Sequence, residues 1–460
     1  MQELKFSSLA LRPELLQSVA SLGYSAMTAI QAESLPPVLA GKDVIAQGKT
    51  GSGKTVAFAL GLLARLNVKR FAVQSLVLCP TRELADQVAK EIRKLARSIH
   101  NIKVLTLCGG MPFGPQVGSL AHGAHIVVGT PGRISDHLRK GNLQLSEVHS
   151  LVLDEADRML DMGFAETLDE IVAEIPVSRQ TLLFSATYPD TIAKVASRVM
   201  RDPVMVTVKS THDTSSIEQH FYSINDANRD QAVMQLLRDH RPDSAVIFCN
   251  TKRETAALAE LLRNKGFSAA ALHGDLEQRD RDRTLVMFAN KSLTVLVATD
   301  VAARGLDIDA LDAVINYQPA RDSEVHVHRI GRTGRAGNSG LAVTLVGEKE
   351  AFKVARIGQY AGQEYHCEPL PGAGGDSSSY LPPMITLQID GGKKQKVRPG
   401  DILGALTGAD GIAGTDVGKI QIFDQSAFVA VRRKASDEAL RKLSAGKLKG
   451  RSFRARRVTK

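Results

Sequence analysis

The segment Gly48-Lys-Thr-Gly51-Ser-Gly53-Lys54-Thr55 constrains this chain more than any other. It follows a short apolar run, Val44-Ile45-Ala46, and leads into an apolar stretch over residues 56–63. A strand that turns through glycines into a helix aims several backbone N–H groups at one point, and the helix N-terminus adds partial positive charge there. Such a point holds phosphate. Gly51 and Gly53 permit the tight turn, Lys54 is placed to neutralise the β- and γ-phosphates of a nucleotide, and the Thr55 hydroxyl to ligate Mg2+. An incidental glycine-rich turn with a lysine is the alternative, and the strand–loop–helix setting weighs against it.

The rest of the chain supplies a scaffold for that loop. Short apolar runs at 44–46, 75–79, 104–107, 125–128, 151–153 and 181–184 alternate with amphipathic stretches such as 84–99. Strand-then-helix alternation predicts a parallel sheet covered on both faces, an α/β fold. The rhythm pauses in the polar stretch 208–216 and resumes with runs at 245–249, 268–272, 294–298, 313–315 and 341–345. A second break is richer in Gly, Ser and Pro (371–379, then Pro382-Pro383) and reads as a flexible tether. Beyond it, strands at 384–389, 420–423, 427–431 and 452–458 and helices at 399–406 and 436–443 give a β-α-β-β-α-β order, which fits a small ferredoxin-like α+β domain. The boundaries read from these breaks are 1–208, 217–368, a linker over 369–382, and 383–460.

Charge is segregated along the chain. The net charge is +10, and residues 381–460 carry all of it, with 17 Lys and Arg against 7 Asp and Glu. A concentrated basic excess favours a polyanion-binding module over a generally basic surface. Cys79, Cys108, Cys249 and Cys367 are far apart with no CxxC pair, which points to reduced thiols and the cytoplasm. No secretory signal is evident at the N-terminus, and no apolar run approaches the roughly 18 residues a membrane span needs. His273-Gly274-Asp275 and His326 lack a second ligand pair at metal-site spacing, so hydrogen bonding in loops or between domains is expected of them; His122 and His125 are three apart but precede a strand, and no structural metal is expected.

Asp154-Glu155-Ala156-Asp157 follows the apolar run 151–153, and strand C-termini in such sheets face the ligand crevice. Asp154 is then placed to hold Mg2+, largely through water, and Glu155 to orient or deprotonate an attacking water. The second α/β unit has no phosphate loop of its own. It carries His328-Arg329-Ile330-Gly331-Arg332-Thr333-Gly334-Arg335, where Arg332 and Arg335 suit either arginine fingers on a γ-phosphate or direct contacts to a nucleic-acid backbone.

Taken together, Lys54/Thr55, the Asp-Glu-Ala-Asp tetrad and residues 328–335 resemble the ordered signature of DEAD-box ATP-dependent RNA helicases. Further segments fall in the family's order. Phe6, Gly23-Tyr24 and Thr28-Ala29-Ile30-Gln31 resemble its adenine-reading Q motif. Pro80–Ala85, Gly109-Gly110, Thr130–Arg133, Ser185-Ala186-Thr187, Ile247–Thr251, Gln278–Arg281 and Ala298–Asp307 resemble its remaining motifs. The resemblance covers residues 6 to about 346 and implies two RecA-like domains that use ATP and Mg2+. Phe6 and Gln31 would serve the adenine, Asp307 the ribose, and Arg332 and Arg335 the γ-phosphate. Arg82, Gly110, Thr130, Arg133, Arg281 and Thr299 would line an RNA backbone track, while Ser185, Thr187, Asp157 and His328 would couple hydrolysis to duplex opening. Backbone contacts carry no sequence information, so such a core is nonspecific.

Specificity then falls to the C-terminal module, which resembles an RRM-type RNA binder. Residues 424–431 align with the RNP1 octapeptide and keep Phe428, but Ser426 replaces an aromatic, and the strand 384–389 has none. Basic residues are the alternative contacts: Lys393, Lys394, Arg432, Arg433 and Arg454 among them. This departure, with the tether's length and position, is similar to the bacterial DbpA group. That resemblance implies binding to a 23S ribosomal RNA hairpin and work on large ribosomal subunit precursors, as a cytoplasmic monomer without membrane association. A general mRNA-unwinding or decay helicase, and an ATP-gated RNA clamp or annealing factor, remain the rival readings.

Overall fold

The computed structural model describes residues 4–48, 51–208, 217–303, 311–334, 340–372, 380–408, 410–446, 448 and 450–458. The chain divides into two compact units, residues 1–212 and 213–460.

The first unit is built on seven parallel strands: β1 Val44–Gln47, β2 Ser75–Leu78, β3 Val104–Leu107, β4 Ile126–Gly129, β5 Ser150–Asp154, β6 Gln180–Ser185 and β7 Val204–Thr207. Their order is β3-β4-β2-β5-β6-β1-β7. Successive residues of a strand point to opposite faces. Val44, Ala46, Val77, Leu182 and Phe184 enter one apolar cluster, while Ile45, Leu76, Leu78 and Leu183 enter the other. Two-sided burial is why these strands read as continuous apolar runs rather than alternating ones.

The second unit repeats the plan with β8 Ile217–Ser223, β9 Ala245–Cys249, β10 Ala269–Leu272, β11 Val295–Thr299, β12 Ala313–Asn316, β13 Gly340–Val346 and β14 Glu368–Pro369, in the order β10-β11-β9-β12-β13-β8-β14. All are parallel. The two RecA-like sheets that the sequence implies are thus present. Both gain strands at one end of the sheet (β7, and β8 with β14) that the apolar-run criterion does not mark.

The same unit carries a third, antiparallel sheet: β15 Met384–Ile389, β16 Val417–Ile422, β17 Ala427–Arg432 and β18 Ala455–Arg457, ordered β16-β17-β15-β18. With the helices Pro399–Thr407 and Ser436–Ala445 it forms the expected α+β domain. Leu387, Ile389, Val429 and Val431 face those helices. The opposite face is also covered. Phe428 and Val458 join the apolar cluster that holds Phe248, Leu296 and Met287 of the second sheet's layer. Thr386 Oγ1 accepts a hydrogen bond from Asn290 Nδ2 at 3.1 Å and shares another with Ser292 Oγ at 2.6 Å.

The expected tether is held at both ends. Gln235 donates to the Pro371 carbonyl, and Tyr380 meets Phe267 edge-on with ring centroids 6.4 Å apart. Residues 373–379 between them lie outside the described residues, as do most of the polar stretch 208–216 and several lysines of the C-terminal tail. No helix among the described residues is long and apolar enough to cross a membrane. All four cysteines are free thiols, and burial raises those of Cys79, Cys108 and Cys249. A thiol held protonated by burial is a poor nucleophile, consistent with a packing role.

Candidate nucleotide and RNA sites

In the first unit the strand order sorts the motifs along one edge. β1, β6 and β5 end at the phosphate loop, Ser185 and Asp154; β2, β4 and β3 end just before Arg82, Thr130 and Gly110. The expected phosphate site and the expected RNA track therefore occupy neighbouring halves of the sheet's C-terminal rim.

Lys54 opens the helix Lys54–Arg65, with Gly53 as its N-cap at φ +94° and Gly51 at φ +81°. The Lys54 side chain is buried, and its Nζ donates to the Gly48 carbonyl at 2.6 Å, folded over its own loop. Burial lowers its pKa, while Asp154, Glu155 and Asp157 pull the other way. Thr55 follows it on the first turn, partly exposed. Gln31 is buried and bonded at both ends of its amide: Oε1 accepts from Thr28 N at 2.9 Å and Nε2 donates to the Gly53 carbonyl at 3.1 Å, which leaves a second N–H and a second lone pair for a ligand. Thr28 Oγ1 donates to the Ser52 carbonyl at 2.7 Å. The Thr28-x-x-Gln31 pair is a capping box for the helix Ala29–Leu39, and it also braces the phosphate loop. A Cβ on Gly53 would lie 2.3 Å from Gln31 Nε2. Phe6 is 4% exposed and belongs to the core cluster with Leu15 and Ile30.

Asp154 ends β5, and burial first, then the neighbouring Glu155, push its carboxyl up to about 7 against the pull of Lys54. Glu155 follows in the left-handed region at φ 52°, ψ 52°. Its carboxylate pairs with Arg158 in a buried salt bridge. Asp157 Oδ2 accepts from Thr187 N at 3.1 Å and Thr187 Oγ1 at 3.0 Å, and Asp157 N donates to Ser185 Oγ at 3.4 Å. Burial would raise the Asp157 carboxyl, but the hydrogen bonds of Ser185 and Thr187 hold it below the usual range. The Ser-Ala-Thr and Asp-Glu-Ala-Asp segments are therefore one bonded assembly.

Thr55 and Asp154 offer hard oxygen donors, the chemistry Mg2+ selects. A buried carboxyl pushed up to about 7 is also one that a divalent cation would hold ionised. The residues present fit the metal.

On the other half of the rim, Gly110 has φ +72°, and a Cβ there would fall 1.7 Å from Arg82 Nη1. Arg133 Nη1 donates to the Met111 carbonyl at 3.1 Å and to Gln116 Oε1 at 3.0 Å. Thr130 occupies the N-cap position of the helix Pro131–Arg139. The structure brings Arg82, Gly110, Thr130 and Arg133 together.

In the second unit Thr299 ends β11, and Arg281 Nη2 donates to the Ala302 carbonyl at 2.8 Å. Arg332 is 8% exposed, and its N–H donates to the Arg329 carbonyl at 3.2 Å. His328 lies on the same helix, Ser323–Ile330. Asp307 and Arg335 lie outside the described residues. The sequence gives no sign that Arg329 is the hub of this region. Its guanidinium is 2% exposed and donates to Asp300 at 2.6 and 2.7 Å, Asn250 at 2.9 Å, Asn316 at 3.1 Å and the Gln318 carbonyl at 3.2 Å. It ties the motifs at the ends of β9, β11 and β12 to residues 328–334. His326, expected to hydrogen-bond, instead stacks on Phe221 with centroids 5.6 Å apart. Neither ring nitrogen has a hydrogen bond among the described residues, and burial pushes its pKa down to about 3.

In the third sheet Phe428 is 8% exposed and lies edge-on to Phe423 at 5.5 Å. Its ring is used in packing and is not open for base stacking. Lys393, Lys394, Arg432, Arg433 and Arg454 are exposed. Arg432 lies 3.5 Å from Asp416, and Arg433 Nε donates to the Pro382 carbonyl at 3.0 Å.

A parallel α/β unit that joins a phosphate loop to an Asp-Glu-Ala-Asp edge, followed by a second unit with an arginine motif, defines a class. The chain belongs to the DEAD-box family of ATP-dependent RNA helicases, RNA-dependent ATPases. Residues 28–195 match the DEAD/DEAH box helicase family, residues 228–337 the helicase conserved C-terminal domain, and residues 386–457 the DbpA RNA binding domain. Among particular relatives, the chain is 53% identical over 452 residues to the ATP-dependent RNA helicase DbpA of Escherichia coli, covering 98% of this chain and 99% of that one. It is 44% identical over 353 residues to the DEAD-box ATP-dependent RNA helicase CshA of Geobacillus kaustophilus, covering 76% of this chain and 75% of that one. Among solved structures, Saccharomyces cerevisiae Dbp5 bound to RNA and ADP BeF3 aligns with a TM-score of 0.72 at 30% identity, covering 80% of this chain and 95% of that one.

Proposed function

We propose that this chain uses ATP hydrolysis to open short RNA duplexes locally, and that its C-terminal domain directs that work to a hairpin of 23S ribosomal RNA in large-subunit precursors. The reading places it in the cytoplasm as a monomer. The observation that carries the targeting is the match of residues 386–457 to the DbpA RNA binding domain, in the segment that holds the whole net charge. With Phe428 committed to packing, the contacts with RNA fall to exposed cations, namely Lys393, Lys394, Arg432, Arg433 and Arg454.

The chemistry follows from the side chains. Lys54 leaves the Gly48 carbonyl for the β- and γ-phosphates of ATP. Thr55 and, through water, Asp154 would hold Mg2+, which would supply charge neutralisation on the phosphates. Glu155 accepts the proton of the attacking water, and Arg332 and Arg335 offset charge at the γ-phosphate. Gln31 serves the adenine and Asp307 the ribose, while Phe6, packed in the core cluster, would have to move to reach the base. Because Gln31 is bonded to the Gly53 carbonyl, adenine recognition is transmitted to the phosphate loop. Ser185 and Thr187, bonded to Asp157, and His328 carry the state of the nucleotide to the RNA-binding residues. Hydrolysis needs base and arginines at one phosphate, and RNA held by Arg82, Gly110, Thr130, Arg133, Arg281 and Thr299 favours that arrangement, which makes turnover RNA-dependent. The bonded Asp157–Thr187 pair favours active remodelling over a passive clamp.

The test is ATPase stimulation of the full chain by 23S and 16S ribosomal RNA. Specific protein–RNA recognition should lower the 23S concentration for half-maximal stimulation by about a hundredfold or more relative to 16S. Lys393→Glu with Lys394→Glu and Arg432→Glu should erase the difference. Equal stimulation by the two RNAs would refute the targeting.

A further inference from the structure

We propose that Arg158 is a positioning residue for hydrolysis: it clamps one oxygen of the Glu155 carboxylate and thereby aims the other at the attacking water. The proposal rests on the reading of Glu155 as the base.

Glu155 is the N-cap of the short helix Ala156–Asp161 and sits in the left-handed region, φ 52°, which a glutamate adopts only when its surroundings hold it there. Arg158 lies three residues on, one helical turn away. Its Nη1 donates to Glu155 Oε2, with both side chains nearly buried at 9% and 10% exposure. Glu155 Oε1 makes no hydrogen bond among the described residues. One oxygen is thus tied down, and its partner is left to accept a proton.

The clamp is itself anchored. Arg158 N donates to the Glu155 carbonyl at 3.1 Å and to Asp157 Oδ1 at 2.9 Å. Asp157 is in turn bonded to Thr187 and Ser185. Arg158 therefore joins the base to the pair that carries the coupling. The terminal torsion of a free glutamate is broad and roughly two-fold, so an unclamped carboxylate spreads over many orientations. Misdirection of a reacting group on this scale costs up to about a hundredfold in rate. Any cation at position 158 would neutralise the buried carboxylate, but only the planar guanidinium also fixes its plane.

Four proteins decide the matter in RNA-saturated ATPase assays: Arg158→Met, Arg158→Lys, Glu155→Gln and the double variant Glu155→Gln/Arg158→Met. Arg158→Met should lower kcat by about ten- to a hundredfold while KM for ATP moves by less than about threefold. Arg158→Lys should recover part of that loss. The double variant should be no slower than Glu155→Gln, because a clamp with nothing to aim has no effect. An Arg158→Met kcat equal to that of the parent overturns the proposal. So does a double variant slower than Glu155→Gln by the factor seen for Arg158→Met alone. If Arg158→Met fails to fold by thermal melting, Arg158→Lys and the double variant, which leaves no buried charge unpaired, still discriminate: a kcat for Arg158→Lys equal to that of the parent overturns the proposal. Full activity in Glu155→Gln alone would instead remove the base assignment, a distinct result.

Discussion

Phe428→Ala separates two uses of one aromatic ring. In RRM-type sheets an aromatic at this strand position stacks on bases. Here the ring is 8% exposed, lies edge-on to Phe423 and shares an apolar cluster with residues of the second sheet's layer. Removing it forfeits about 2–3 kcal/mol of burial. The lost aromatic pair adds about 0.5–1.5 kcal/mol. The sum, about 2.5–4.5 kcal/mol, overlaps the lower part of the range for buried Phe→Ala changes. Because the ring bridges two sheet layers, the loss falls on the packing of the third sheet against the second. About 3 kcal/mol is on the order of a hundredfold in that equilibrium. The assay is hydrogen exchange of the full chain. Amides over residues 287–294 and 386–388, which include Asn290, Ser292 and Thr386, should exchange on the order of a hundredfold faster in the variant. RNA affinity of the domain should change little. Unchanged exchange together with an RNA affinity loss of about 1–3 kcal/mol, the cost of a lost base stack, would refute the packing argument.

Two further outcomes follow from the first unit. With its carboxyl pushed up to about 7, Asp154 keeps a proton in the nucleotide-free protein below that pH. Mg-ATP affinity should therefore rise as pH climbs through about 7 and level off above it. The contribution of this raised carboxyl to folding stability has the opposite sense, present below the usual carboxylate range and lost as pH rises through about 7. Isothermal titration and thermal melting across that window should show both trends flattened in Asp154→Asn. Gly110→Ala forces a Cβ against Arg82 at a φ of +72°, at a backbone cost of about 1 kcal/mol. RNA-stimulated ATPase should need more RNA for half-saturation in this variant, with KM for ATP unchanged; an altered ATP KM alone would contradict the separation of the two halves of the rim.

Much of the architecture was legible because both faces of each parallel sheet are buried. Runs such as Val44–Ala46 and Ala245–Cys249 need apolar residues at every position, and this is a strong local signal. The strands at those sheet ends escaped for the opposite reason. β7 is largely open to solvent, and β8, Ile-Glu-Gln-His-Phe-Tyr-Ser, takes its register from β13 rather than from its own pattern. The motif letters put the expected catalytic residues on strand ends, but they do not say which residues hold those side chains. Arg158 and Arg329 look like ordinary cations until their partners are known. Thr28-x-x-Gln31 could have been read as a capping box, and so as a brace for the phosphate loop. Phe428 had a readable warning too. Ala427-Phe-Val-Ala-Val431 is apolar at every position, the mark of a strand covered on both sides, which leaves no face for a base.

The central claim is that the acidic edge and the phosphate loop on one unit, and the arginine motif on the other, hydrolyse ATP only when RNA engages both. The direct measurement is steady-state phosphate release by the full chain, with and without saturating 23S ribosomal RNA, for the parent and Arg332→Ala. The account expects a low rate without RNA, a large stimulation with it, and a stimulated rate lowered by roughly a thousandfold in Arg332→Ala with ATP still bound. Equal rates with and without RNA, or an Arg332→Ala defect confined to RNA affinity, would contradict it.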